Sequence, residues 1–246
     1  MLGNDMSLLS VFSELCGSVV VTPVTPEPGY VNTEGCGCQE APVLLLGPPG
    51  SRKSSLLFVA AVLAAEEGAG LVLFLSREPL QEVPRERRAA RDPLILKQIR
   101  FVYPPSLKEL LHFFSSLHET SPSPSLILVD GLHRYLSSTG SLTDAAHISA
   151  LMLDSVSQLR CGLIVSAVPN VEGSDGAFMA IERYFPNQCI LCPVMSAETE
   201  ERQFKVSFRP PHRQWILHVE QDGGIKVSVP DSQAHKSPNS EAKEKT

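Results

Sequence analysis

The octapeptide Gly47-Pro48-Pro49-Gly50-Ser51-Arg52-Lys53-Ser54 has the residue types and spacing of a phosphate-binding loop. In a loop of the form G-x-x-x-x-G-K-[ST], successive backbone N–H groups turn inward around phosphate oxygens, and the N-terminus of the helix that follows adds positive potential. Lys53 stands where the side chain reaches the β and γ phosphates, and Ser54 where a hydroxyl ligates Mg²⁺. Ser55 completes the nucleotide-binding set. One position departs from the pattern: Arg52 replaces the second glycine. That glycine permits a left-handed backbone, which costs any other residue about 1–2 kcal/mol.

A cradle of this kind needs a carboxylate for the metal shell and a group to activate water. Asp130 ends the apolar run Leu126-Ile127-Leu128-Val129, 76 residues after Ser54, as a metal-holding aspartate at a strand tip does. With Ser54 it forms the candidate Mg²⁺ pair. Glu78 lies just past another buried strand and is the candidate water-activating carboxylate. A polar sensor belongs at the end of the strand over 162–167, where the chain offers Ser166 and Asn170 but no glutamine. The expected catalytic set is Lys53, Glu78 and Asp130, with ATP and Mg²⁺ as ligands.

These residues need a scaffold, and the chain's 246 residues are ample for one large core. Its 43% hydrophobic content is ordinary for a globular domain. No apolar run approaches the ~18 residues of a membrane span, and the N-terminus lacks a basic region before its apolar patch. Net charge is -6, which excludes a uniformly basic coat but leaves local basic patches open. Six cysteines in this length point to a reducing compartment rather than a disulfide framework. Cys36 with Cys38, and Cys189 with Cys192, lack further ligands at zinc-finger spacing. The second pair reads as small apolar side chains buried in a strand.

Hydropathy divides the chain into a flexible leader (1–40), a core (41–230) and a polar tail (231–246). The leader contains one short amphipathic stretch, Leu8–Leu15. In the core, short continuous apolar runs at 43–46, 71–75, 99–102, 125–130, 162–167 and 188–191 read as strands buried on both faces. Helical patterns at 53–66, 107–118, 142–159 and 177–184 separate them. Beyond residue 200 the pattern alternates: Phe204, Val206 and Phe208, then Trp215, Leu217 and Val219, then Ile225, Val227 and Val229, with Asp222-Gly223-Gly224 as a hairpin turn. The expectation is an α/β core with a mostly parallel sheet, flanked by helices and closed by C-terminal antiparallel strands.

Two stretches carry clustered cations. Arg77, Arg85, Arg87, Arg88 and Arg91 are interleaved with Glu78, Glu82, Glu86 and Asp92, as on a solvated loop. Arg202, Lys205, Arg209 and Arg213 have no acidic residue among them and lie near Phe204, Phe208 and Trp215, a pattern that suits single-stranded DNA. The alternation, however, turns the two phenylalanines toward the core.

The order of these parts resembles the RecA-like P-loop NTPase core. Within that superfamily the segments APVLLLGPPGSRKSSLLFVAAVLAA, LVLFLSREPLQEVPR, DPLILKQIRFVYPPSLKELL, PSLILVDGLHRYL and ERYFPNQC resemble the SWIM-associated ATPases of the animal Shu complex, divergent paralogues of the eukaryotic strand-exchange recombinase. The more specific marks are Tyr103-Pro104-Pro105 and the Asp130-Gly131-Leu132 run, and the resemblance covers roughly residues 41–192. It implies DNA-stimulated ATP hydrolysis, DNA binding and homologous recombination in the nucleus; the absence of a spanning apolar run adds the expectation of no membrane association. The implied partners are a SWIM-type zinc-finger protein, and the strand-exchange recombinase with its paralogues. Arg52 departs from that family's loop, and Glu172 and Asp175 stand where recombinases carry a basic DNA loop. A nucleotide-binding scaffold with little turnover is therefore the alternative. A small-molecule kinase ranks third for lack of an acceptor site.

Overall fold

The computed structural model describes residues 8–15, 41–80, 92–136, 141–169, 176–194, 202–210, 214–220 and 224–230. The apolar runs form strands β1 (Val43–Leu46), β2 (Leu71–Ser76), β3 (Ile99–Val102), β4 (Pro124–Asp130), β5 (Gly162–Ala167) and β6 (Asn187–Val194). The alternating segments form β7 (Arg202–Arg209), β8 (Trp215–Val219) and β9 (Ile225–Ser228). All nine join one sheet in the order β3-β2-β4-β5-β1-β6-β7-β8-β9. The first six are parallel, and β6 through β9 pair antiparallel.

Continuous apolar strands are those covered on both faces. Leu45, Val72, Phe74 and Leu128 pack toward helix α2 (Lys53–Glu66), while Leu44, Leu46, Leu73 and Leu75 face the opposite layer. That layer contains α4 (Leu107–Ser116), α5 (Leu142–Leu159) and α6 (Gly176–Tyr184). Helix α2 is buried along eleven of its fourteen residues, which explains its Ala- and Leu-rich composition without a polar stripe. A one-turn helix α3 (Pro93–Leu96), capped by the Asp92 side chain, precedes β3. The helical pattern over 107–118 breaks at Leu117 into a 3₁₀ turn. Phe204, Val206 and Phe208 are buried on one face of β7, as their alternation predicts.

The leader requires correction at its helical stretch. Helix α1 (Leu8–Leu15) joins the core: Leu8, Val11 and Phe12 are fully buried. Phe12 stacks on Trp215 with ring centroids 5.8 Å apart and meets Phe208 edge-on at 5.9 Å. The i, i+3, i+4 stripe covers aromatic surface supplied by β7 and β8, partners that local composition does not reveal. Residues 16–40 and 231–246 lie outside the described residues. Cys189 is buried as expected, whereas Cys192, three residues along the same strand, is exposed.

Parallel register brings the ends of β1, β2, β4 and β5 to one edge: Leu46 lies opposite Ala167, and Ser76 opposite Asp130. Every candidate residue of the cradle follows one of these strand ends, the place where open α/β sheets bind ligands.

Candidate nucleotide-binding site

The loop after β1 turns back on itself before α2. Ser51 donates to the Pro48 carbonyl through both its amide (3.3 Å) and its hydroxyl (2.8 Å). Gly50 has φ 76°, a conformation that favours glycine. Arg52 caps α2 in the left-handed region, with φ 58° and ψ 29°. The geometry the missing glycine would supply is therefore present, carried by an arginine at a cost of about 1–2 kcal/mol.

Lys53 opens the helix, and its ammonium is drawn inside the curve of the loop. Nζ donates to the carbonyls of Gly47 and Pro48, each at 2.8 Å, and to Ser51 Oγ at 3.1 Å. Burial lowers its pKa to about 8, Asp130 opposes that shift, and Arg134 adds to it. Ser54 Oγ donates to Asp130 Oδ2 at 2.7 Å, joining α2 to the end of β4. On the other side Ser166 Oγ, at the tip of β5, donates to Asp130 Oδ1 at 2.7 Å and accepts from the Gly131 amide at 2.8 Å. Both carboxylate oxygens of Asp130 are thus fixed. A hydroxyl and a carboxylate held together at the mouth of a phosphate-type loop are the hard oxygen donors that Mg²⁺ takes, so the donor set fits Mg-nucleotide.

Gly131 has φ 72° and turns the chain so that His133 and Arg134 face the same cavity. This cavity of about 950 Å³ includes Gly50, Ser51, Arg52, Lys53, Ser54 and Ser55 on one side. Glu78, Arg134 and Arg202 line it as well. Glu78 pairs with Arg134 at 3.8 Å in an exposed position, and Arg77 Nη1 donates to the Arg134 carbonyl at 2.7 Å. His133 Nδ1 accepts from the Val168 amide at 3.1 Å, which leaves the neutral ring's proton on Nε2. Burial, then Arg134 and Lys53, push its pKa down to about 4.

The four cations expected to form one DNA-binding group are separated. Arg202 lines the cavity, whereas Lys205 and Arg209 belong to the outward-facing, odd-numbered set of β7. Arg213 lies outside the described residues, as do Arg85, Arg87, Arg88 and Arg91. Sequence reasoning missed His133, Arg134 and the place of Arg202. The first two follow Asp130-Gly131 directly, and a turn-forming glycine after the strand-end acid is the signal that could have found them.

The chain matches no protein-family model. Human ATPase SWSAP1 is 39% identical over 209 residues, covering 78% of this chain and 91% of its own. The mouse ATPase SWSAP1 is 38% identical over 215 residues, covering 81% of this chain and 77% of its own. The chain belongs to the SWSAP1 ATPase family. Among solved structures, this SWSAP1-family chain shares the fold of the RadB recombinase (TM-score 0.55, 14% identity, 77% of this chain and 91% of that one). It also shares that of the flagellar accessory protein FlaH from Methanocaldococcus jannaschii (TM-score 0.58, 14% identity, 77% and 90%). The fold is therefore RecA-like, a mostly parallel sheet with helices and C-terminal antiparallel strands. The resemblance carried by the cradle and its flanking segments holds at the level of the family.

Proposed function

We propose that this SWSAP1-family protein binds Mg-ATP in the cradle after β1 and hydrolyses it as a DNA-stimulated ATPase of homologous recombination. The observation that carries the reading is the 2.7 Å bond from Ser54 Oγ to Asp130 Oδ2, which unites the two halves of a phosphate and metal site. Bound Mg-ATP supplies the γ-phosphoryl group that is transferred to water. Lys53 and the loop amides hold the phosphates, while Ser54 and Asp130 hold the metal, with Ser166 keeping the carboxylate oriented. Glu78, at the open side of the cavity, orients and deprotonates water once its contact with Arg134 loosens.

The wider reading follows the family resemblance: a nuclear protein working with a SWIM-type zinc-finger partner, the strand-exchange recombinase and its paralogues, on single-stranded DNA. Lys205 and Arg209 on the outward face of β7 are the cations that suit a phosphate backbone. A second reading, a nucleotide-dependent scaffold with negligible turnover, is favoured by Arg52 in a left-handed conformation and by the engagement of Glu78 with Arg134.

Phosphate release measured with and without single-stranded DNA separates the two. Stimulated release supports the ATPase; ATP binding without release supports the scaffold. Replacing Lys205 and Arg209 by Gln should flatten the salt dependence of DNA binding, by about 0.7 in log–log slope for each DNA phosphate no longer neutralised. An unchanged slope moves the DNA-binding face elsewhere.

A further inference from the structure

Arg202 begins β7, and its backbone pairs with Val219 of β8, so the root of the side chain is fixed in the sheet. From there the guanidinium crosses to the cradle. A Cβ placed on Gly50 would lie 3.1 Å from Arg202 Nη1, so the guanidinium closes on the loop at this turn. Arg202 lines the same cavity as Lys53, Asp130 and Glu78. Among the described residues no carboxylate pairs with its guanidinium, although Glu220 lines the same cavity in an ion pair with Lys226.

A planar guanidinium is the side chain best suited to grasp phosphate oxygens through two parallel hydrogen bonds. The loop's own donors, its amides and Lys53, meet phosphate from inside the curve. Arg202 approaches the loop at the turn of Gly50, three residues before the lysine that reaches the β and γ phosphates. A cation there adds a charged side-chain donor to the backbone amides of the loop.

We infer that Arg202 grips the terminal phosphate of a bound nucleoside triphosphate from beside the turn at Gly50, so that β7 distinguishes the triphosphate from the diphosphate. The inference rests on the proposed reading of the cavity as a nucleotide site. It goes further by giving that site a reporter of nucleotide state on the strand that also carries Lys205 and Arg209. One strand then touches the nucleotide at its first residue and presents cations to solvent at its fourth and eighth.

The test is calorimetric titration of Mg-ATP and Mg-ADP onto the full chain and its variants Arg202→Gln, Arg202→Lys, Lys53→Ala and Arg183→Gln. The last removes an exposed arginine of α6 away from the cavity. Loss of one charge-assisted grip should weaken ATP binding of Arg202→Gln by roughly 10- to 100-fold and ADP binding by less than about threefold. Arg202→Lys should fall between wild type and Arg202→Gln, since lysine keeps the charge and loses the fork. Arg183→Gln should bind as wild type, and thermal melting should show all variants folded. ATP binding of Arg202→Gln equal to wild type, with Lys53→Ala impaired, overturns the role of Arg202 and leaves the nucleotide site standing. Equal losses for ATP and ADP overturn the terminal-phosphate assignment. A wild-type protein that binds neither nucleotide overturns the site itself.

Discussion

The floor and the rim of the cavity are built differently. On the floor Ser54 and Ser166 are tied to Asp130 by hydrogen bonds of 2.7 Å, Lys53 is held by the loop through Gly47, Pro48 and Ser51 at 2.8–3.1 Å, and Lys53, Asp130 and Ser166 are buried. On the rim Glu78 and Arg134 face each other at 3.8 Å with most of the Glu78 side chain in solvent. A pair of that kind contributes about 0–1 kcal/mol and rearranges readily. The floor is organised before any ligand arrives, as tight binding requires, whereas the rim must rearrange before it can act on water. Binding and turnover should therefore respond to different residues.

The largest expected effect breaks turnover alone. Glu78→Gln should lower the rate of phosphate release by about 10²- to 10⁴-fold, the range lost with a general base, and leave the ATP dissociation constant within about twofold. Single-turnover assays beside equilibrium titration check this. A loss of affinity comparable to the loss of rate would place Glu78 with the floor.

A change at Arg52 sharpens the floor's side of the comparison. Arg52→Gly removes the left-handed cost at the cap of α2 and should tighten ATP binding by ~5- to 30-fold if the whole strain is released on binding. Weaker binding by the variant would make the Arg52 side chain a phosphate ligand rather than a strained substitute.

The smallest effect is one of pH. Lys53 has its pKa lowered from 10.5 to about 8, so the folded state disfavours the ammonium. Stability is reduced by this group below pH 8 and recovers as pH rises from about 8 to 10.5, the sign for a base with a depressed pKa. Phosphate favours the charged form, so ATP affinity should hold from pH 7 to 8 and then decline by up to about tenfold per unit, with proton uptake on binding. Lys53→Ala should abolish that uptake. Titration in two buffers of different ionisation enthalpy reads it directly.

The floor was legible in the sequence because each part sits on a signal of its own. A strand-length apolar run precedes the loop, Lys-Ser follows it, and an aspartate closes the run over 126–130. Register between parallel strands then places Asp130 beside Ser54 without further information. The rim was less legible. Glu78 could be placed by its strand, but its partner Arg134 enters through a turn at Gly131 that no strand pattern announces. Arg202 was grouped with Lys205 and Arg209 by proximity along the chain, whereas alternation along β7 separates even from odd positions. The same limit applies to α1, whose apolar stripe was visible while the aromatic surface it covers was not.

That helix ties together stretches of chain made at very different times. Phe12 emerges from the ribosome about 200 residues ahead of Phe208 and Trp215, the rings it packs against. At the usual 5–20 residues per second, the interval is about 10–40 s. Throughout it the apolar stripe of α1 lacks the aromatic part of its native surface, although α2 already offers the rest. The packing of α1 is thus finished only after β7, β8 and β9 have been made, which ties the first helix of the chain to its last strands.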